Sequence, residues 1–176
     1  LATSTGVFAT VTTDTVTPSA TANYTLFFDC TNGKLYTDEA MTKTYTGQPD
    51  KWSSYQLNSD YYALKLNGFQ FTTSQPDALV MPEDSGIILT DGTTNTLTST
   101  YIGSEISSAL WGLDRLSINS TGSGNGTLIV QGGTNTGNQY SDGIYIENSF
   151  TITSGHIFAH GGQDPQSAGI DTGELD

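Results

Sequence analysis

The sequence predicts an all-β protein: a single-stranded parallel β-helix (solenoid) over residues 62–176, with an N-terminal β cap over residues 1–61. Three observations predict it. First, the back half repeats itself. Ala78-Leu79-Val80, Ala109-Leu110-Trp111, Gly143-Ile144-Tyr145 and Gly169-Ile170-Asp171 each begin with a tiny residue and carry an aliphatic in the middle. The first three are each followed by a second apolar triplet (Ile87-Ile88-Leu89, Leu116-Ser117-Ile118, Phe150-Thr151-Ile152), then by a third apolar stretch, and the fourth by Leu175-Asp176, at intervals of about 26 to 33 residues, as in stacked repeat arrays. Second, each unit breaks into short alternating runs separated by Gly, Asn, Asp and Ser corners, which suits strands and turns. Third, no window carries the apolar period of a helix. Three short strands and three corners make one coil.

The elements follow in order. Residues 1–61 lack the repeat. Val7, Val11 and Val16 sit among threonines and are interrupted by Pro18. Tyr24-Thr25-Leu26-Phe27-Phe28 is a strong strand that ends at Asn32-Gly33, and Lys34-Leu35-Tyr36-Thr37 is its hairpin partner. A polar loop through Gly47-Gln48-Pro49-Asp50 leads to Trp52 and Tyr55. A solenoid end needs a cover, because an open coil exposes apolar core and unpaired strand edges. Residues 1–61 are expected to be that cover; the alternative is a small recognition domain. Residues 62–71 alternate on both sides of Asn67-Gly68 and form the first coil or the junction to it. The chain starts at Leu1 without Met, as expected of a mature or trimmed chain, and residues 167–176 begin another repeat. Either the sequence belongs to a longer surface protein with further domains, or a partial coil closes the array.

Composition narrows the function. Eighteen acidic against five basic residues give a net charge of −13, a field that repels nucleic acid and anionic lipid. No apolar run reaches membrane-spanning length, so neither nucleic acid nor membrane insertion is expected. One cysteine, Cys30, allows no internal disulfide, which disfavours a disulfide-stapled secreted domain and fits an exported bacterial protein.

Trp52-Ser53 with Tyr55, residues 63–68, Leu128-Ile129-Val130-Gln131-Gly132-Gly133, Asp142-Gly143-Ile144-Tyr145, Phe150-Thr151-Ile152 and Ser167-Ala168-Gly169-Ile170 together carry a resemblance. It covers roughly residues 52–176. The pattern resembles the Gly-rich right-handed parallel β-helix of surface and secreted proteins from anaerobic gut and cellulolytic bacteria. Such proteins are often described as carbohydrate-binding, and some resemble pectate lyases in fold. The resemblance implies right-handed winding, a secreted or cell-surface location and a polysaccharide or host-glycan partner. Leu116-Ser117-Ile118-Asn119-Ser120 departs from the pattern, since no paired glycine accompanies it.

Strand parity then assigns faces. With Leu79, Leu110, Ile144 and Ile170 inside, Val80, Trp111, Tyr145 and Asp171 point outward on successive coils. Trp111 and Tyr145 are expected as a two-ring platform for sugar rings, with Asp171 as a polar partner. Otherwise, the N-terminal segment or a loop covers the rings. The corners that follow carry Asp84, Asp114, Glu147 and Glu174, an acidic edge that would suit Ca²⁺, which takes six to eight oxygens. Otherwise the edge is solvated, or Arg115 neutralises Asp114 or a neighbour. No organic cofactor is expected. The third strands are expected to put Leu97, Leu128 and Ile157 inside, and Thr98, Ile129 and Phe158 outside.

Catalytic signatures are weak. His156 and His160 fall on one face at surface ladder positions. Arg115 with Asp114 is the best lyase pair available, and acid pairs at glycosidase spacing arise from stacking alone. The sequence therefore points first to noncatalytic, calcium-assisted glycan binding. A structural adhesin or stalk comes second, and a pectate-lyase-like polysaccharide lyase third. An ice-binding Thr face fails, because Thr98 gives way to Ile129 and Phe158 in later coils.

Overall fold

The computed structural model describes residues 20–164 and 166–175. Expectations for Val7, Val11 and Val16 lie outside them. The described residues are all-β. Their strands are β1 (Leu26–Asp29), β2 (Lys34–Tyr36), β3 (Trp52–Gln56), β4 (Tyr62–Leu66), β5 (Gln70–Thr73), β6 (Leu79–Met81), β7 (Ser85–Leu89) and β8 (Thr94–Ser99). They continue with β9 (Ile102–Gly103), β10 (Ser107–Gly112), β11 (Arg115–Ser120), β12 (Thr127–Gln131), β13 (Thr134–Asn135), β14 (Ser141–Ile152), β15 (His156–His160) and β16 (Ile170–Leu175).

Most pairing is parallel and joins strands of equivalent place in successive repeats. One ladder runs β1–β6–β10–β14–β16, with Leu26, Leu79, Leu110, Ile144 and Ile170 in one register column. A second runs β4–β7–β11–β14, and a third β5–β8–β12–β15. β14 is long enough to pass through a corner, so its first half pairs with β10 and its second half with β11. That single strand merges the first two ladders into one ten-stranded mixed sheet. Two pairs are antiparallel, β1 with β2 and β3 with β4.

The hairpin predicted after Tyr24 forms, with Phe28 opposite Leu35 and Asp29 opposite Lys34. Gly33, at φ +68, closes it in a conformation that L side chains rarely adopt. β3 was not foreseen as a strand. Asn67-Gly68 is a corner and not a hairpin, because β4 and β5 pair with different ladders.

Residues 20–61 cover the outer edges of β1, β4 and β5. β2 lies outside β1, and β3 covers β4. The edge of β5 is satisfied without a regular strand. Ala22 bridges to Thr73, its N–H donating to Thr72 O and its carbonyl accepting from Ser74 N. The Gln48 side chain imitates a further strand: its Oε1 accepts from Gln70 N at 3.1 Å and its Nε2 donates to Gln70 O at 2.7 Å. A buried edge left without such partners would be costly. Tyr24, Tyr45, Trp52, Phe69 and Phe71 pack beneath this cover, Phe69 and Phe71 stacked and Tyr45 edge-on to both. Leu26, Phe28, Leu35 and Tyr45 share one hydrophobic cluster with the repeat residues, so 20–61 has no separate core.

The inside of the array is the predicted aliphatic ladder. Leu79, Leu110 and Ile144 have no solvent exposure. The paired glycines mark close approaches at the corner that leads back to the first ladder. A Cβ on Gly132 would run into the Asp142 carbonyl, and one on Gly162 into the Gly133 carbonyl.

Two expected alignments are corrected by two residues. Leu97 pairs with Val130, and Leu128 pairs with Asn95. Likewise Leu116 pairs with Ser85, and Ile118 with Ile87. A two-residue slip preserves the face, so Leu97 and Leu128 are buried as expected while their neighbours differ. The cause is a buried polar residue in each column. Asn95 accepts Phe69 N–H and donates to Thr127 O, so it sits inside with its hydrogen bonds made. Ser85 donates to Pro82 O. Matching apolar residue to apolar residue skips both.

Candidate functional site

The outward column beside the aliphatic ladder is Phe27, Val80, Trp111, Tyr145 and Asp171, each in register with the next. Strand pleat sends them away from the core because Leu26, Leu79, Leu110, Ile144 and Ile170 point into it. The sequence-predicted neighbours Trp111, Tyr145 and Asp171 are therefore brought together along one face. Asp171 is exposed.

The expected flat platform is not flat. The Trp111 and Tyr145 rings lie 6.5 Å apart at 62°, edge to face, and both are half-buried. This tilt matches the aromatic quadrupole, which disfavours face-to-face sandwiches. The Trp111 Nε1 is buried and has no hydrogen-bond partner among the described residues. Trp111 is the wall between two clefts. One, of about 400 Å³, is lined by Phe27, Glu39, Met41, Val80 and Leu113 on the side of the N-terminal segment. The other, of about 440 Å³, is lined by Asp77, Glu105, Ile106, Tyr140, Tyr145 and Glu147. Asp77 and Trp111 line both.

Asp77, Glu105, Ile106 and Tyr140 were not singled out by the sequence reading. A signal for them exists: they sit just ahead of the repeat triplets. Ser107 pairs with Ser141, and Ser107 N–H donates to Tyr140 O, which sets Ile106 and Tyr140 side by side at the mouth. Ile106 and Tyr140 are both exposed, at 52% and 43%.

Asp77 is held from within. Its Oδ1 accepts Ser108 N–H at 2.9 Å, one repeat on. Burial pushes its pKa up to about 6, with nearby Glu105 adding to the rise and the Ser108 bond opposing it. A perturbed carboxyl in a cleft is a usual mark of acid–base catalysis. Here the same device occurs away from both clefts. Asp142, buried, accepts Ala168 N–H at 2.7 Å and is also pushed up to about 6 by burial, with Asp171 and Asp164 adding. Register puts Asp77, Ser108, Asp142 and Ala168 in one column. In both, the shift follows from burial of a carboxylate at an equivalent place in its repeat, against the lowering effect of its own backbone hydrogen bond.

The acidic edge is arranged differently from the expectation. Counting from Leu116↔Ser85 sets Arg115 beside Asp84, and Arg115 is in register with Ser149. Arg115 Nε meets Asp84 Oδ1 at 2.6 Å and Asp114 Oδ2 at 3.5 Å. Asp114 Oδ1 also accepts from Asn148 Nδ2 at 3.0 Å. The arrangement is therefore the one in which Arg115 neutralises its neighbours. Both aspartates pull the guanidinium pKa further up. Glu147 stands apart from them as a wall of the second cleft. The expectation for the Glu174 side chain lies outside the described residues. Among the described residues, no three Asp, Glu, His or Cys side chains gather into a metal-binding group.

His156 and His160 are exposed, in register with Thr127 and Gln131, and line neither cleft. Their columns continue to Thr94 and Thr98, where matching residue type along the sequence points to Thr96 and Thr100. Thr96, and not the expected Thr98, is in register with Ile129 and Phe158 in the outward column of that ladder. No family model, curated protein or solved structure matches the chain.

Proposed function

We propose that the repeats wind as a right-handed parallel β-helix in a secreted or cell-surface bacterial protein, and that the two clefts flanking Trp111 bind polysaccharide or host glycan without catalysis. Support for the winding comes from chain order. β6, β7 and β8 are followed by β10, β11 and β12, each parallel to its counterpart, and then by the two halves of β14 and β15. Parallel connections of this kind are right-handed almost without exception.

The observation that carries the binding reading is the pair of clefts meeting at Trp111. Their volumes fall in the ordinary range of ligand sites, about 300–1,000 Å³. Aromatic and aliphatic side chains form the walls and a few polar groups converge on them, which is what a ring with one apolar face and many hydroxyls requires. Asp77 has a structural counterpart in Asp142, so its raised pKa adds no weight to a lyase or hydrolase. The test is titration calorimetry against soluble oligosaccharides chosen from a glycan array. Trp111→Ala and Tyr145→Ala are expected to weaken binding at least tenfold, about 1.4 kcal/mol. Unchanged affinity in both variants would move the site elsewhere.

A further inference from the structure

We propose that the cleft between Trp111 and Tyr140 selects glycans that carry free amino groups, of the glucosamine type, over neutral glycans and over uronate polymers; this ligand class rests on the glycan-binding reading above. The clefts are one-signed. Asp77, Glu105 and Glu147 line the second, and Glu39 and Asp77 line the first. All five basic residues of the chain belong to described segments, and none lines either cleft. Arg115, two residues beyond the cleft residue Leu113, is held by Asp84 and Asp114.

Geometry makes the charge usable. Glu105 and Glu147 approach the second cleft from successive coils. Glu105 precedes Ile106, at the mouth, and Glu147 follows Ile146, the register partner of Gly112. Both are exposed, and no hydrogen bond within the protein engages either carboxylate among the described residues, so both stay free to accept. Between them, Trp111 and Tyr145 supply the apolar wall that a pyranose face needs. Ammonium groups along an amino-sugar chain would lie against this wall with a carboxylate towards either end, where charge-assisted hydrogen bonds are about twice as strong as neutral ones. A uronate would meet the same carboxylates as like charges, with no cationic side chain to offset them. A neutral sugar would keep the stacking and lose the charge.

A protein of net charge −13 attracts any polycation, so the test must separate cleft recognition from the overall field. Calorimetry at fixed ionic strength would compare glucosamine trimers, their N-acetylated counterparts, neutral gluco-oligosaccharides and oligogalacturonate. It would use wild type, Glu105→Gln with Glu147→Gln, and the charge-matched control Asp50→Asn with Asp60→Asn, both exposed and away from the clefts. We expect the amino trimer to bind wild type at least tenfold more tightly than the acetylated one. We expect the cleft variant to erase that ratio and the control to keep it. Equal loss in the control would reduce the preference to bulk charge and overturn the inference. Equal affinity for amino and neutral trimers, or tighter oligogalacturonate binding, would overturn it while leaving the glycan-binding reading intact. Binding of no saccharide at all would remove both. Thermal melting of each variant confirms that the fold is retained.

Discussion

The outward column on the first strands and the acidic corner just beyond it lie only a few residues apart in each repeat, yet stacking treats them oppositely. On the strands, residue type and register agree: Val80, Trp111 and Tyr145 stack as expected because ladder hydrogen bonds fix one partner for each residue. At the corner, residues grouped by type do not share a register. Asp84 sits beside Arg115, Asp114 beside Asn148, and Glu147 joins the wall of a cleft. A column of like charges would repel by roughly 0.8 kcal/mol per pair at 5 Å even in water, while interposing Arg115 turns repulsion into attraction. Stacking rewards like over like for aliphatic side chains. For carboxylates it favours alternation.

The sharpest way to break this comparison is to exchange inside for outside. Leu110→Ala, in the buried ladder, is expected to cost about 2–5 kcal/mol of stability because its packed neighbours cannot fully close the cavity. Trp111→Ala, one residue on, is expected to cost less stability and most of the glycan affinity. Chemical denaturation of both variants measures this. Equal destabilisation would mean that Trp111 is a core residue.

Next in size is the effect of pH. Asp77 and Asp142 are raised to about 6, above the unfolded value, so the folded state binds more protons than the unfolded one between about pH 4 and 6. Their contribution is present at the acid end of that window and is lost as pH rises through about 6. Asp38 and Asp91 are lowered, Asp38 chiefly by the Thr42 hydroxyl and Asp91 chiefly by Asn125 N–H, so they act oppositely and only at lower pH. Melting is expected at a higher temperature at pH 5 than at pH 7, by about 2–4 °C for each kcal/mol involved. Asp77→Asn with Asp142→Asn retains an acceptor for Ser108 and Ala168 N–H and should flatten the profile. A profile of unchanged slope in that variant would remove these two carboxyls as the cause.

The smallest expected effect is at the corner. Arg115→Gln leaves Asp84 and Asp114 facing each other without a cation. Exposed ion pairs contribute little, so the melting shift should be slight in buffer. A Ca²⁺-dependent rise in melting temperature should be larger in this variant than in wild type, because the two carboxylates then lack their guanidinium. An equal response in both would show that Arg115 does not govern the edge.

Much of the fold was legible in the sequence. The repeat triplets, the hairpin after Tyr24 and the inward ladder follow from alternation and corner residues, signals that are local and periodic. The slips came where a column contains a buried polar residue. Asn95 and Ser85 look like surface residues in a linear reading, and only their hydrogen bonds to Thr127 and Pro82 explain why they are inside. Counting six residues onward from Leu79, Leu110 and Ile144 would have found the Ser85, Leu116 and Phe150 column. Matching by hydrophobicity did not. Gln48 is harder still: nothing in Gly47-Gln48-Pro49 announces that its amide will serve as a strand edge for Gln70.

By itself the sequence determined the β character, the repeat and the parity that turns Trp111 and Tyr145 outward, because each depends on a period along the chain. Tertiary structure alone decided the tilt of those rings, the pairing of Arg115 with Asp84 and Asp114, and the clefts that gather Asp77, Glu105, Tyr140 and Glu147. These depend on which residues meet between paired strands some thirty positions apart, and that is set by the count through each corner and by buried hydrogen bonds that hydropathy does not record.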